Sequence, residues 1–215
     1  MKTTESDASA ERILPGGAVA ELVRLNRDYL DLIIASPGDS PVPLPLVVLQ
    51  GLRAASAEAL DAMAACSYGL FVLDTLRVGP ADAPQATYVK DPVAERYGTG
   101  FPEGGAWPAF TMAALSFAWQ LSRQNLMSVR IMLGLSGTAA ASMAAMDPWK
   151  LRSIAARQAL PLQPRWSRNP CFWPDLLRSA GALDPLRLDL AKLLGMQLLA
   201  ADLHPWQGSP GRRRG

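Results

Sequence analysis

Two Asp-Pro steps, Asp147-Pro148 and Asp184-Pro185, each stand directly before an apolar segment of helical period, and they dictate where helices begin in the second half of the chain. An aspartate carboxylate accepts from the orphan N–H groups of a first helical turn, and proline is pre-shaped for the first helical position. The first step therefore opens a helix expected to run to about Gln158, and the second a helix ending near Leu203. Ahead of Asp147, the residues Ala139, Ser142, Met143 and Met146 recur at i, i+3, i+4 and i+7, a stripe along one helical face. Leu151, Ile154 and Ala155 supply the inner face of the helix that follows. Two short helices around so tight a turn form a helix-turn-helix-like hairpin.

The same period, cut by proline and glycine, runs through most of the 215 residues and predicts an all-α, multi-helix bundle. Residues 1–16 read as a disordered tail, 17–78 as a first helical half, 79–106 as a Pro/Gly-rich connection, 107–204 as a second half, and 205–215 as a basic mobile tail. Helices are expected at Ala18–Ala35, Leu44–Leu52 and Ser56–Cys66 in the first half. In the second they are expected from Trp107 to Gly134 with a break near Asn125, and at Pro174–Ser179. Leu186, Leu190, Leu193, Leu194, Gln197 and Leu198 lie along the last helix. Ser67–Arg77 is a continuous apolar run that suits either a short helix or a buried strand. Shifting the chain by 83 residues pairs Gly51 with Gly134, Leu52 with Leu135, Ala57 with Ala140, Ala62 with Ala145 and Met63 with Met146, a weak internal similarity that implies two related halves.

Charge is unevenly spread. Ser122 to Arg178 holds eight basic residues against Asp147 and Asp175, a net of +6, whereas Met1 to Asp74 carries −5. Lys150, Arg152, Arg157, Arg165 and Arg168 are the candidate phosphate contacts for nucleic acid. Scattered arginines are also what a solvated face or a surface for an acidic protein partner looks like, and charge alone favours that reading slightly. Trp149, Trp166 and Trp173 are the candidate partner anchors, with Trp149 placed at the exposed start of the hairpin's second helix. Protein partnership or self-association is expected on either reading.

Catalytic readings find no residues to recommend them. The single histidine, His204, cannot build the usual metal cluster, and neither a Gly-x-Ser-x-Gly elbow nor a P-loop is present, so no catalytic residue, metal or cofactor is expected. Ser136-Gly137-Thr138 reads as a helix cap, and Gly98-Thr99-Gly100 as loop flexibility. Cys66 and Cys171 lie in apolar surroundings and are expected as two buried, reduced thiols. The polar, acidic start has no signal-peptide core and no stretch is uniform enough to span a bilayer, so a cytoplasmic protein without membrane contact is expected.

The run LGLSGTAAASMAAMDPWKLRSIAARQALPLQPRW at 133–166 resembles the core of the flagellar transcriptional activator FlhD family. The likeness lies in the Leu-Gly entry, a small-residue helix, a turn, a Leu-x-x-hydrophobic-Ala helix and a closing apolar-Arg-aromatic passage. The resemblance implies an all-α regulator that acts on DNA together with a partner protein, FlhC in that family. It also implies that Gly134, Leu151, Ile154, Ala155, Arg165 and Trp166 define the fold rather than catalyse. This chain is about twice the family's usual length, and Leu162 stands where the family can carry a cysteine, so a covalent dimer bridge is not carried over. Two functions follow as expectations: a FlhD-like regulator or co-regulator, or a non-enzymatic adaptor or secretion/motility accessory protein with no direct DNA contact.

Overall fold

The computed structural model describes residues 16–36, 42–73, 105–157, 161–182 and 184–203. The expected tails, most of the Pro/Gly-rich connection, Gly98-Thr99-Gly100, His204 and the side chain of Arg157 lie outside the described residues. Among the described residues the chain forms nine helices and no strand: α1 (Gly16–Ala35), α2 (Leu46–Ala54), α3 (Ala57–Ala64), α4 (Ala106–Gln124), α5 (Leu126–Leu133), α6 (Gly137–Ala144), α7 (Pro148–Arg157), α8 (Phe172–Gly181) and α9 (Pro185–Leu203). The expected all-α bundle is what forms. No described helix is long and apolar enough to cross a membrane.

Local chemistry accounts for the helix boundaries. Ser56 Oγ accepts from the Ala59 amide to start α3, and Ser136 Oγ accepts from the Ala139 amide to start α6. The break near Asn125 is real: this residue is extended (φ −157°), and its Oδ1 accepts from the Met127 and Ser128 amides to restart the helix as α5. Gly134 ends α5 in the left-handed conformation at φ 67°. Asp184 Oδ1 accepts from the Arg187 amide at the start of α9, the capping role its Asp-Pro step predicts.

The internal similarity is present in the fold, but in another register. A shift of 80 residues rather than 83 superposes α2 on α5 and α3 on α6, and brings both Ser caps into coincidence. It also pairs Leu46 with Leu126, Ser56 with Ser136, and Ala59, Met63, Ala64 and Ala65 with Ala139, Met143, Ala144 and Ala145. The register at 83 fails because it sets Gly51, inside α2, against the left-handed cap Gly134. Each pair of short helices packs on the long helix before it, α2 and α3 on α1, α5 and α6 on α4, and the two long helices pack on each other. The pairs then part: α6 leads into α7, which also lies on α4, whereas α3 leads into a non-helical passage.

That passage resolves the ambiguous run after Cys66. Residues 67–73 are neither helix nor sheet strand; they pass through the core with bends at Ser67, Tyr68 and Leu70, bridged antiparallel at Phe71 to Pro164. A non-helical backbone buried among helices finds few main-chain partners, because helices spend theirs internally. Here the Gly69 amide reaches the Met132 carbonyl (2.7 Å), Val72 N–H reaches Gln163 (2.9 Å) and Arg165 N–H reaches Leu70 (2.8 Å). Side chains supply the rest. The fully buried Asn26 donates to the Ala64 and Tyr68 carbonyls and accepts from the Leu70 amide, and Tyr29 Oη donates to the Leu162 carbonyl at 2.8 Å. Tyr29, Phe71, Trp107 and Phe110 pack edge-to-face or offset around the same point. Both halves thus share one core.

Two expectations about thiols separate. Cys66 is buried, its Sγ donates to the Met63 carbonyl, and burial pushes its pKa up to about 11; Cys171, expected to be buried, is exposed at the start of α8. A thiol reagent at pH 8 is expected to modify one cysteine rapidly in the native protein and the second only after denaturation, as counted by mass spectrometry. Asn26→Ala leaves two carbonyls and one amide without their partner in the core and is expected to cost about 3 kcal/mol or more in urea unfolding.

Candidate functional site

The candidate phosphate contacts whose side chains are described, Lys150, Arg152, Arg165 and Arg168, do not come together as one face. Arg165 is 4% exposed and belongs to the core, which corrects its assignment to nucleic acid. Its guanidinium donates to the Leu133 carbonyl, at the end of α5, and to the Phe71 carbonyl at 3.2 Å, and it lies 5.5 Å from the Trp166 ring centroid. A side chain on Gly134 would collide with this guanidinium, so that glycine serves both the left-handed cap and the arginine's close approach. Arg165 is therefore spent on capping backbone, a use that its neighbours Pro164 and Trp166 disguise in a charge count.

The remaining cations divide further. Lys150 is exposed and pairs with Asp147 at 3.7 Å across one turn. Arg152 is exposed, but two residues along a helix is about 160° around it, so Lys150 and Arg152 flank the buried Leu151 and Ala155 on opposite sides of α7. Arg168 is exposed on a different element, in the turn before α8. Of the other basic residues behind the +6, Arg123 lies 5.0 Å over the Trp119 ring, Arg178 pairs with Asp175 at 3.0 Å, and Arg130 is half-buried. The two helices expected of the hairpin are present, α6 and α7 around residues 145–147, but each rests on α4 and not on the other, and Trp119 Nε1 of α4 donates to the Met146 carbonyl at 2.8 Å.

The three tryptophan anchors also part. Trp149 is 68% exposed, where it was expected. Trp173 is buried with Nε1 bonded to the Arg165 carbonyl at 2.8 Å, so it is a core residue and not a surface anchor. Trp166 is half-buried at φ 50°, an unusual backbone for a bulky residue. Its Nε1 donates to Asp202 of α9 at 2.8 Å, and its ring packs edge-on to Tyr68 and Phe172.

What sequence pattern missed is the outer face of α9. Gly195 faces inward against Tyr68 and Phe172, so close that any side chain there would overlap both rings. Ala191 and Leu199 complete the buried side, and Tyr68 Oη donates to the Lys192 carbonyl at 3.1 Å. The close fit turns the larger residues outward: Leu186 is 70% exposed, Leu190 57%, Leu193 48% and Met196 49%. Four large apolar side chains grouped on one helical face are an exposed patch, unlike single exposed leucines. The overlooked signal was Gly195, since a small residue at 195 with alanine at 191 marks the side where a helix approaches closely.

Beside this face runs a shallow groove between α8 and α9, where Arg178 and Arg187 stand over Ala182, Leu190 and Leu194. Among the described residues no three His, Cys, Asp or Glu side chains gather to hold a metal. No family model matches the chain, and no curated protein or solved structure matches it.

Arg165→Ala is expected to cost about 2–4 kcal/mol by leaving the buried Leu133 and Phe71 carbonyls without their donor, whereas Arg152→Ala and Arg168→Ala should stay within about 0.5 kcal/mol. Urea unfolding of the three variants measures the contrast.

Proposed function

We propose that this chain is a non-enzymatic helical protein-interaction module that docks a partner on the outer face of α9. The observation that carries the reading is the apolar row Leu186, Leu190, Leu193 and Met196, exposed on a helix whose opposite side is already packed. Burying a leucine from water contributes about 1.5–3 kcal/mol, so such a row is a ready source of binding energy. The divided cations weaken a direct DNA role: Arg165 is inside, and Lys150 and Arg152 face opposite ways. A FlhD-like co-regulator that reaches DNA through its partner would use the same face.

A photo-crosslinking residue at position 190 is expected to form adducts with protein in a native extract, while the same residue at the exposed Ala141 forms none. Leu186→Asp with Leu193→Asp should abolish the adducts without altering helicity. Duplex DNA at low salt should bind no better to the parent protein than to a Lys150→Glu, Arg152→Glu variant. Tight, salt-steep DNA binding lost in that variant would instead restore direct nucleic-acid recognition.

A further inference from the structure

The inner side of α9 is as telling as the outer. It meets the body through Ala191, Gly195 and Leu199, with Leu188 and Leu198 half-buried beside them, and it packs chiefly on α8. That stripe is narrow, and two of its three buried residues have little or no side chain to withdraw. The first turn of α9 is satisfied by its own residues: Asp184 Oδ1 accepts from the Arg187 amide, Asp184 Oδ2 pairs with Arg187 Nε at 3.2 Å, and the Leu188 amide donates to the Asp184 carbonyl at 3.0 Å. Lifting α9 from the body leaves these contacts in place.

Two side-chain donors reach across the seam from the body. Tyr68 Oη donates to the Lys192 carbonyl at 3.1 Å, and Trp166 Nε1 donates to Asp202 Oδ2 at 2.8 Å. Both donors face water once α9 is away, so separation strands no buried polar group. They differ in leverage. Helix α8 ends at Gly181 and α9 begins at Pro185, so the near end of α9 is tied to α8 through the chain itself. Asp202 lies in the last turn, roughly 25 Å along the helix from Pro185 at 1.5 Å per residue.

The residue that grips this far end is the strained one. Trp166 stands at φ 50°, a region a bulky residue keeps only while its surroundings hold it there. Its holders are the Tyr68 ring at 5.4 Å, the Phe172 ring at 4.7 Å and Asp202. Tyr68 and Phe172 are also the two rings against which Gly195 fits. Helix α9 therefore covers the rings that support Trp166 and supplies its polar partner, and the strain released at Trp166 offsets part of what the closed contact contributes.

We infer that α9 is a hinged arm that separates from the body as a unit about the junction between Gly181 and Pro185, with the Trp166–Asp202 hydrogen bond as the catch on its far end. Opening bares Tyr68 and Phe172, while the core around Tyr29, Phe71 and Phe110 stays closed. The inference concerns the inner side of α9 and is independent of what docks on the outer side.

In the full chain carrying Cys171→Ser, Leu199→Cys places a thiol on the buried side of α9. Its modification by a small thiol reagent, mapped to position 199 by mass spectrometry, is expected to proceed in the native protein. Its urea dependence should fall well below that of global unfolding followed by circular dichroism, because opening exposes far less surface. Adding Asp202→Ala should speed modification about three- to tenfold, the worth of one hydrogen bond. Asp202→Asn, whose amide oxygen still accepts from Nε1, should stay near the parent rate. Trp166→Phe removes the same donor, so Asp202→Ala added to it should accelerate nothing further. Modification that occurs only with global unfolding, at its urea dependence, overturns the hinge. An unchanged rate in Asp202→Ala, or an undiminished effect of Asp202→Ala in the Trp166→Phe protein, overturns the catch.

Discussion

A non-helical length of main chain buried inside a helical protein is the constraint around which this molecule is organised. Residues 67–73 pass through a core whose walls are helices, and helices have no spare main-chain partners to offer. A single antiparallel bridge to 162–165 meets part of the demand. The remainder falls to buried side chains: Asn26 of α1 serves Tyr68 and Leu70 and the Arg165 guanidinium serves Phe71, while Tyr29 of α1 and Trp173 of α8 serve the Leu162 and Arg165 carbonyls of the facing passage. The polar residues of the core are thus a distributed substitute for a second strand. A burial cost of several kcal/mol per unsatisfied group explains why they are satisfied by such distant partners.

Much of the architecture was legible in the sequence. The caps at Ser56, Ser136 and Asp184, the break at Asn125 and the glycine end at 134 are local events, decided by a few residues in contact along the chain. What escaped depends on tertiary contact. Arg165 reads as surface charge because nothing local says that two carbonyls, 32 and 94 residues away, will claim it. Cys171 sits among apolar neighbours in sequence, yet the turn that caps α8 through Asn169 leaves it outside. The outward leucines of α9 reverse the usual expectation that large apolar residues mark the inner face, because one glycine fitted to two aromatic rings decides which side approaches. The candidate interaction face was therefore visible in composition and invisible in orientation.

Charge shows the same separation of count from place. Eight basic residues between 122 and 178 suggest a field, but pairing, stacking and burial claim Lys150, Arg178, Arg123 and Arg165 for unrelated jobs. On the acidic side Arg27 bridges Asp31 and Asp61, so that charge near the N-terminus fastens α1 to α3. Net charge along the chain thus describes the ends of many short-range contacts better than it describes a surface potential.

The second helices of the two short pairs, α3 and α6, agree in length, in Ser cap and in a buried methionine, and after Cys66 and Met146 the paths part, one non-helical and the other turning into α7. The two exits occupy different layers: residues 67–73 pass through the core, whereas α7 lies on α4 with Trp149, Lys150 and Arg152 exposed. A tandem sequence folding around a common centre has room for one occupant there. Symmetry in such a protein is therefore bounded from within, and divergence between its repeats is a geometric necessity at the innermost layer before it is a matter of specialised function.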